Sequence, residues 1–121
     1  MTAVAKKTRK DEALVDLLTA TGLPKNLAKT VVFLARRDET TSVDIEKATG
    51  LRQPEVSLAM QELRARRWVE KRDIKKEGKG RPVHGYRLTL AFETLVDSIT
   101  REERRKIQAI EENLRRLKSS L

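Results

Sequence analysis

The spacing of apolar residues predicts two helices in the first third of the chain. The first begins near Asp11, whose acidic side chain suits the positive end of a helix dipole. Gly22 ends this helix, and Pro24 lies in the first turn of the second. Both are predicted to be amphipathic. Their apolar positions are Leu14, Val15, Leu17 and Leu18 in the first helix and Leu27, Val31, Leu34 and Ala35 in the second.

A short helix and a longer helix follow, separated by a turn at Gly50. Ser42 is the predicted N-cap of the shorter helix, and Gly50 suits the left-handed conformation that ends it. Pro54 lies in the first turn of the longer helix, which runs from about Gln53 to Arg66. Plain helical hairpins and DNA-binding helix-turn-helix units both have this form, so the pair alone leaves both open. The predicted buried stripe of the longer helix is Val56, Ala59, Met60 and Leu63.

Two short strands and a long helix complete the pattern. The segments "WVEKRDI" and "VHGYRLT" predict strands, and Gly78, Gly80 and Pro82 lie in a long loop between them. Gly85 is unusual inside a strand and is expected to mark a bend. From about Ala91 the chain is predicted to be helical again. Apolar residues at spacings of 3, 4, 3 and 4 then form a heptad seam typical of paired helices, at Ile107, Ile110, Leu114, Leu117 and Leu121.

Composition narrows the class of protein. The chain has 121 residues and no cysteine, which excludes a disulfide framework, a thiolate metal site and a cysteine nucleophile. No apolar run is long enough to span a bilayer, and "MTAVAKKTRK" lacks the apolar core of a secretory signal. We therefore expect a soluble, cytoplasmic protein that does not act at a membrane.

The net charge of +9 is concentrated in one region. Residues 66–87 carry nine basic and three acidic side chains, so they hold +6 of the excess. A charge that served solubility alone would be more evenly spread, and like charges on one loop repel each other. This distribution favours an anionic partner that neutralises the loop.

The order of elements resembles the winged helix-turn-helix. The resemblance is carried by "TGLPKNLAKTVVFLA", "TTSVDIEKATGLRQPEVSLAMQELRARRWVEKR" and "GKGRPVHGYRLT", which together span roughly residues 20–90. It is greatest to the DNA-binding domain of archaeal TrmB-type regulators, with MarR-type and ArsR-type repressors more distant. It implies a mainly α fold with a small β-hairpin wing and a long C-terminal dimerisation helix. One departure is Arg67, which stands where the family often has glycine before the first wing strand.

The resemblance also implies how DNA would be bound. The longer helix of the pair would lie in the major groove, and its face opposite the buried stripe would read bases. That face offers Arg52, Gln53, Ser57, Leu58 and Gln61. The wing would contact phosphates through Lys75, Lys76 and Lys79, and Arg81 would enter a narrow minor groove. The alternative for the helix residues is that they are ordinary solvated side chains.

Few other residues suggest a catalytic, metal-binding or nucleotide-binding role. Trp68 and Tyr86 are expected in the core, and His84 lacks partners at metal-ligand spacing, so no metal site is predicted. The loop "GKGRPVHG" lacks the Gly-Lys-Ser/Thr ending of a nucleotide-binding loop. We find no nucleophile with a base and no catalytic carboxylate pair, so we expect no enzyme activity and no cofactor.

The sequence therefore predicts three regions: a basic flexible tail at residues 1–9, a DNA-binding domain at 10–90 and a dimerisation helix at 91–121. The leading hypothesis is a homodimeric, nucleoid-associated transcription regulator that binds double-stranded DNA. One alternative is an architectural chromatin-like protein of low sequence specificity. The other is a winged-helix protein-interaction module, which the clustered charge disfavours.

Overall fold

The computed structural model describes the backbone of residues 2–74 and 83–121, and the side chains of residues 10–74 and 83–121. The chain divides into two compact units, Met1–Ala91 and Phe92–Leu121. In chain order the elements of the first unit are α1 (Thr2–Ala20), α2 (Lys25–Ala35), β1 (Thr40–Thr41), α3 (Ser42–Thr49), α4 (Gln53–Ala65), β2 (Val69–Ile74) and β3 (Val83–Leu88). The second unit is α5 (Phe92–Ser119).

Helix α1 is longer than the apolar pattern predicts. It begins at Thr2, whereas the sequence places a flexible tail at residues 1–9 and the helix start near Asp11. Residues 2–9 contain neither glycine nor proline, and alanine, lysine and arginine favour helix, so nothing in this segment ends the helix early. The helix thus includes residues that the apolar pattern leaves out.

The end of α1 follows from Gly22. This residue has a φ of 105°, the Gly22 N–H donates to the Thr19 carbonyl, and the Leu23 N–H donates to the Leu18 carbonyl. These two bonds form a Schellman motif, in which a left-handed residue satisfies the last carbonyls of a helix. Leu23, which follows this turn, is buried.

The core of the first unit is centred on α2. Leu27, Val31 and Leu34 are buried as the pattern predicts, and Thr30 is buried with its hydroxyl donating to the Asn26 carbonyl. Two predicted apolar positions are exposed. Leu17 lies at the edge of the α1 contact face by helical spacing, and Ala35 is the last residue of α2.

A three-stranded antiparallel sheet in the order β1-β3-β2 brings the last two strands of the first unit beside β1. Strand β1 is not predicted by the apolar pattern; its two residues pair with Tyr86 and Gly85 of β3. A two-residue strand has too few positions for an alternating pattern, so it was not recognisable from apolar spacing. Strand β3 is therefore the central strand.

Helix α5 is continuous from Phe92 to Ser119, through the charged segment "TREERRK" that interrupts its apolar spacing. In the part of the chain that the structure describes, no helix is long and apolar enough to span a membrane.

Candidate nucleic-acid interface

The turn between α3 and α4 is built by backbone capping. The Thr41 hydroxyl accepts a hydrogen bond of 3.2 Å from the Asp44 N–H, which makes Thr41 the N-cap of α3 and Ser42 its first helical residue. The prediction of Ser42 as the cap is wrong by one residue. Gly50 has a φ of 74° and its N–H donates to the Glu46 carbonyl at 2.9 Å, so the predicted left-handed end of α3 is confirmed.

Helix α4 begins at a defined point after this turn. The Glu55 carboxylate accepts a bond of 2.9 Å from the backbone N–H of Arg52, which ties the first turn of the helix to the residue before it. Pro54 lies in that first turn, as predicted. The predicted buried stripe is also confirmed, since Val56, Ala59, Met60 and Leu63 are all buried.

The opposite face of α4 is exposed. Leu58 leaves 66% of its surface in water, although it is a large apolar residue. The structure thus places all five predicted base-reading residues on one solvent-facing surface: Arg52, Gln53, Ser57, Leu58 and Gln61.

The exit from α4 is a second Schellman motif, with arginine in the place usually held by glycine. Arg67 has a φ of 65°, its N–H donates to the Arg64 carbonyl at 2.9 Å, and the Trp68 N–H donates to the Leu63 carbonyl at 3.0 Å. The Thr89 hydroxyl also donates to the Arg67 carbonyl at 2.7 Å. These bonds hold Arg67 in a conformation that side chains with a Cβ disfavour.

Trp68 belongs to the core, as predicted. It is only 4% exposed, and the Arg66 guanidinium lies 4.9 Å from the centre of its ring. Tyr86 is also buried, and this burial raises the pKa of its hydroxyl. Neither aromatic ring is positioned to stack on a base.

Polar side chains in facing positions join the two strands β2 and β3. The carboxylate of Glu70 contacts the guanidinium of Arg87 directly across the β2–β3 ladder. Asp73 and His84 are likewise opposite each other, and the Asp73 Oδ1 lies 2.9 Å from the His84 Nδ1. Opposite charges at the facing positions of Glu70 and Arg87 favour this register. The predicted wing contacts Lys75, Lys76, Lys79 and Arg81 lie outside the described residues.

A further pair reaches across the central strand. The Arg72 guanidinium on β2 makes two hydrogen bonds, of 2.6 and 3.0 Å, to the Glu39 carboxylate next to β1. These bonds lower the pKa of Glu39 and raise the pKa of Arg72. This pair could not be predicted from the sequence, because its two residues are far apart in the chain and β1 leaves no apolar pattern.

Helix α5 presents the heptad seam as an exposed stripe. Ile107, Ile110, Leu114 and Leu117 are 56–67% exposed, and Leu121 beyond the helix end is also exposed. Charged residues flank the stripe and pair along the helix, as in the Lys106–Glu103 contact of 3.3 Å. The stripe is therefore a bounded apolar surface. Within the residues that the structure describes, no group of three or more acidic or histidine side chains could hold a metal ion.

No family model matches the sequence, and no curated protein sequence matches it. Solved structures do match in three dimensions. TrmBL2, an archaeal chromatin protein whose structure shows a novel mode of DNA binding, has a TM-score of 0.70 and 14% identity over 91% of this chain. A possible transcriptional regulator from Methanosarcina mazei Go1 has a TM-score of 0.64 and 13% identity, and the match covers 82% of each chain.

The S. aureus MepR–DNA complex also matches, with a TM-score of 0.54 and 18% identity over 98% of this chain and 95% of that one. This chain has the winged helix-turn-helix fold. The predicted fold class is thereby confirmed, including the long C-terminal helix. The match covers 41% of TrmBL2, so the chain corresponds to about two-fifths of that protein.

Proposed function

We propose that this chain is a homodimeric transcription regulator that binds double-stranded DNA with α4 in the major groove and the β2–β3 hairpin on the backbone and adjacent minor groove. The observation that carries the proposal is the two-sided character of α4. One side is a continuous buried stripe that fixes the helix in the domain, and the other is an exposed surface with the hydrogen-bonding groups that base reading requires.

The chemistry of the exposed face suits the major groove. A glutamine side chain such as that of Gln53 or Gln61 can bond adenine in two places, and an arginine such as Arg52 can do so with guanine. Ser57 can donate to or accept from either kind of base edge. The exposed Leu58 suits the methyl group of thymine.

The charge of the wing region supports the same partner. In β2, the acidic residues Glu70 and Asp73 contact Arg87 and His84 of the facing strand. Both carboxylates are thus paired within the sheet itself. We propose that the four basic residues of the loop between β2 and β3, Lys75, Lys76, Lys79 and Arg81, neutralise phosphates, which gives affinity and register but no sequence reading.

The exposed stripe of α5 supports a homodimer. Burying an isoleucine or leucine side chain contributes roughly 1.5–3 kcal/mol, so several such residues on each helix favour pairing with a second copy. The heptad spacing is the one that two helices need to bury a narrow seam. We infer that α5 pairs the two subunits through Ile107, Ile110, Leu114, Leu117 and Leu121.

An architectural, chromatin-like role is the second candidate. The likeness to TrmBL2, which is an archaeal chromatin protein, is the observation that favours it. Such a protein would use the same basic surface with little preference for sequence, since phosphate contacts carry no sequence information.

Selection of bound duplexes from a random pool, followed by substitution on α4, tests these proposals. If α4 reads bases, Gln53→Ala or Gln61→Ala should lower binding to the selected site by about 1–3 kcal/mol while non-specific binding changes little. Gln108→Ala, which removes the same group from α5, is the matched control and should leave the preference unchanged. Equal losses on selected and random DNA would favour the architectural role, and no binding to any duplex would refute both.

A further inference from the structure

Gly85 lies opposite one residue of each neighbouring strand of the sheet. Strand β2 is hydrogen-bonded to β3, and β3 is bonded on its other side to the two residues of β1. The register places Arg72 of β2 and Thr41 of β1 opposite Gly85. Gly85 is therefore the point at which the short strand β1 ends its pairing, and at His84 and Val83 strand β3 pairs with β2 alone.

The missing side chain at Gly85 leaves room for groups from both neighbours. A Cβ atom built there would lie 2.5 Å from the Ile74 Cδ1 and 3.3 Å from the Glu39 Cδ. The space above β3 is thus occupied from one side by Ile74 of β2 and from the other by Glu39. Because Glu39 reaches over this position, its carboxylate meets the Arg72 guanidinium through two hydrogen bonds.

This pair is a side-chain link from β2, across β3, to the segment before β1. A bidentate bond between arginine and a carboxylate fixes direction as well as distance, because both groups are planar. Arg72 leaves 67% of its side chain exposed and Glu39 leaves 23%, so the acidic end is the less exposed end of a surface pair. A rotation of the hairpin away from β1 would therefore separate the two groups and break these bonds.

We propose that Glu39 and Arg72 are positioning residues that set the direction of the β2–β3 hairpin relative to the rest of the first unit. DNA affinity depends on this direction. The inference rests on the proposed DNA binding. Arg72 lies three residues before the loop that carries the proposed phosphate contacts, so the direction of β2 at Arg72 bears on DNA affinity through that loop.

Loss of the Glu39 carboxylate should change DNA affinity in the direction opposite to the one expected from charge alone. Removal of an acidic side chain from a basic protein should by itself strengthen DNA binding. If the carboxylate positions the hairpin, Glu39→Ala should instead bind a random duplex about threefold to tenfold more weakly than the wild type. The dependence of log affinity on log salt should also become shallower, by about 0.9 for each phosphate that the loop no longer neutralises.

Asp38→Ala is the matched control. Asp38 is the exposed neighbour of Glu39, and its removal changes the net charge by the same amount. We expect this variant to bind as well as the wild type or more tightly. The exchange Glu39→Arg with Arg72→Glu keeps both charges and the link, so it should restore part of the affinity and of the salt dependence that Glu39→Ala removes.

Thermal unfolding followed by circular dichroism shows whether each variant is folded, and exposed ion pairs contribute little enough that all three should be. The inference is overturned if folded Glu39→Ala binds as tightly as Asp38→Ala, or if the exchanged pair binds no better than Glu39→Ala. A wild-type chain that binds no duplex would refute the proposed function itself.

Discussion

At the scale of single residues, two positions are constrained by their surroundings: Arg67 by its backbone conformation and Gly85 by the space around it. Arg67 adopts a left-handed conformation that glycine adopts at little cost, and Gly85 occupies a space that a larger residue would have to share. The departure at Arg67 was visible in the sequence, because glycine is common at that point of the winged-helix pattern. The role of Gly85 was not, because it depends on the close approach of Ile74 and Glu39.

The strain at Arg67 leads to a stability prediction. A left-handed conformation costs a residue with a Cβ about 1–2 kcal/mol, part of which glycine loses again through the greater freedom of its unfolded chain. Arg67→Gly should therefore raise the free energy of unfolding by about 0.5–1 kcal/mol and the midpoint of thermal unfolding by about 2–5 °C. Arg67→Ala removes the same guanidinium but keeps the strain, so it serves as the control. A midpoint for the glycine variant no higher than that of the alanine variant would contradict the strain.

Gly85 leads to a second prediction at this scale. Gly85→Ala places a methyl group against the Ile74 side chain, and crowding of this kind lowers the free energy of unfolding by about 1 kcal/mol or more. Ile74→Ala removes the crowding atoms, so the double variant should lose less than the sum of the two single losses. Urea unfolding of the four proteins gives the coupling directly. Additive losses would show that Ile74 is not what Gly85 accommodates.

At the scale of elements, the sequence predicted the helices more completely than the sheet. Helices α2, α3 and α4 were predictable because a buried stripe recurs every three to four residues and glycine or proline marks their ends. The start of α1 was not, since its first residues favour helix without an apolar face. Strand β1 forms by pairing with β3, which lies more than 40 residues later in the chain. Glu39, next to β1, is bonded to Arg72 of β2. Contacts over such separations leave no local pattern.

The candidate interface likewise has one part that could be predicted from the sequence and one part that could not. The exposed face of α4 could be predicted because the buried stripe defines it by exclusion. The link between Glu39 and Arg72 could not, because it depends on the order of strands in the sheet and on the absence of a side chain at Gly85. Local periodicity therefore predicts which face of α4 is exposed, whereas the direction of the hairpin depends on tertiary structure.

At the scale of the whole molecule, the proposed dimer joins the exposed stripe of α5 to the symmetry of the DNA site. A two-fold dimer presents two copies of α4, so the preferred site should be palindromic, with half-sites about 10 base pairs or a multiple apart. The alternative is that the C-terminal helix covers its stripe within its own subunit and the protein remains a monomer. Sedimentation of the wild-type chain distinguishes the two.

Substitution within the stripe gives the decisive measurement. Ile110→Asp with Leu114→Asp would bury charges without partners in a paired seam, so the double variant should sediment as a monomer. Its affinity for a paired site should fall to that of a single half-site, because the second α4 is no longer held by the first. Gln108→Asp with Ser119→Asp adds the same charge away from the stripe and should leave the dimer intact. A stripe variant that remains dimeric would show that the subunits pair through another surface.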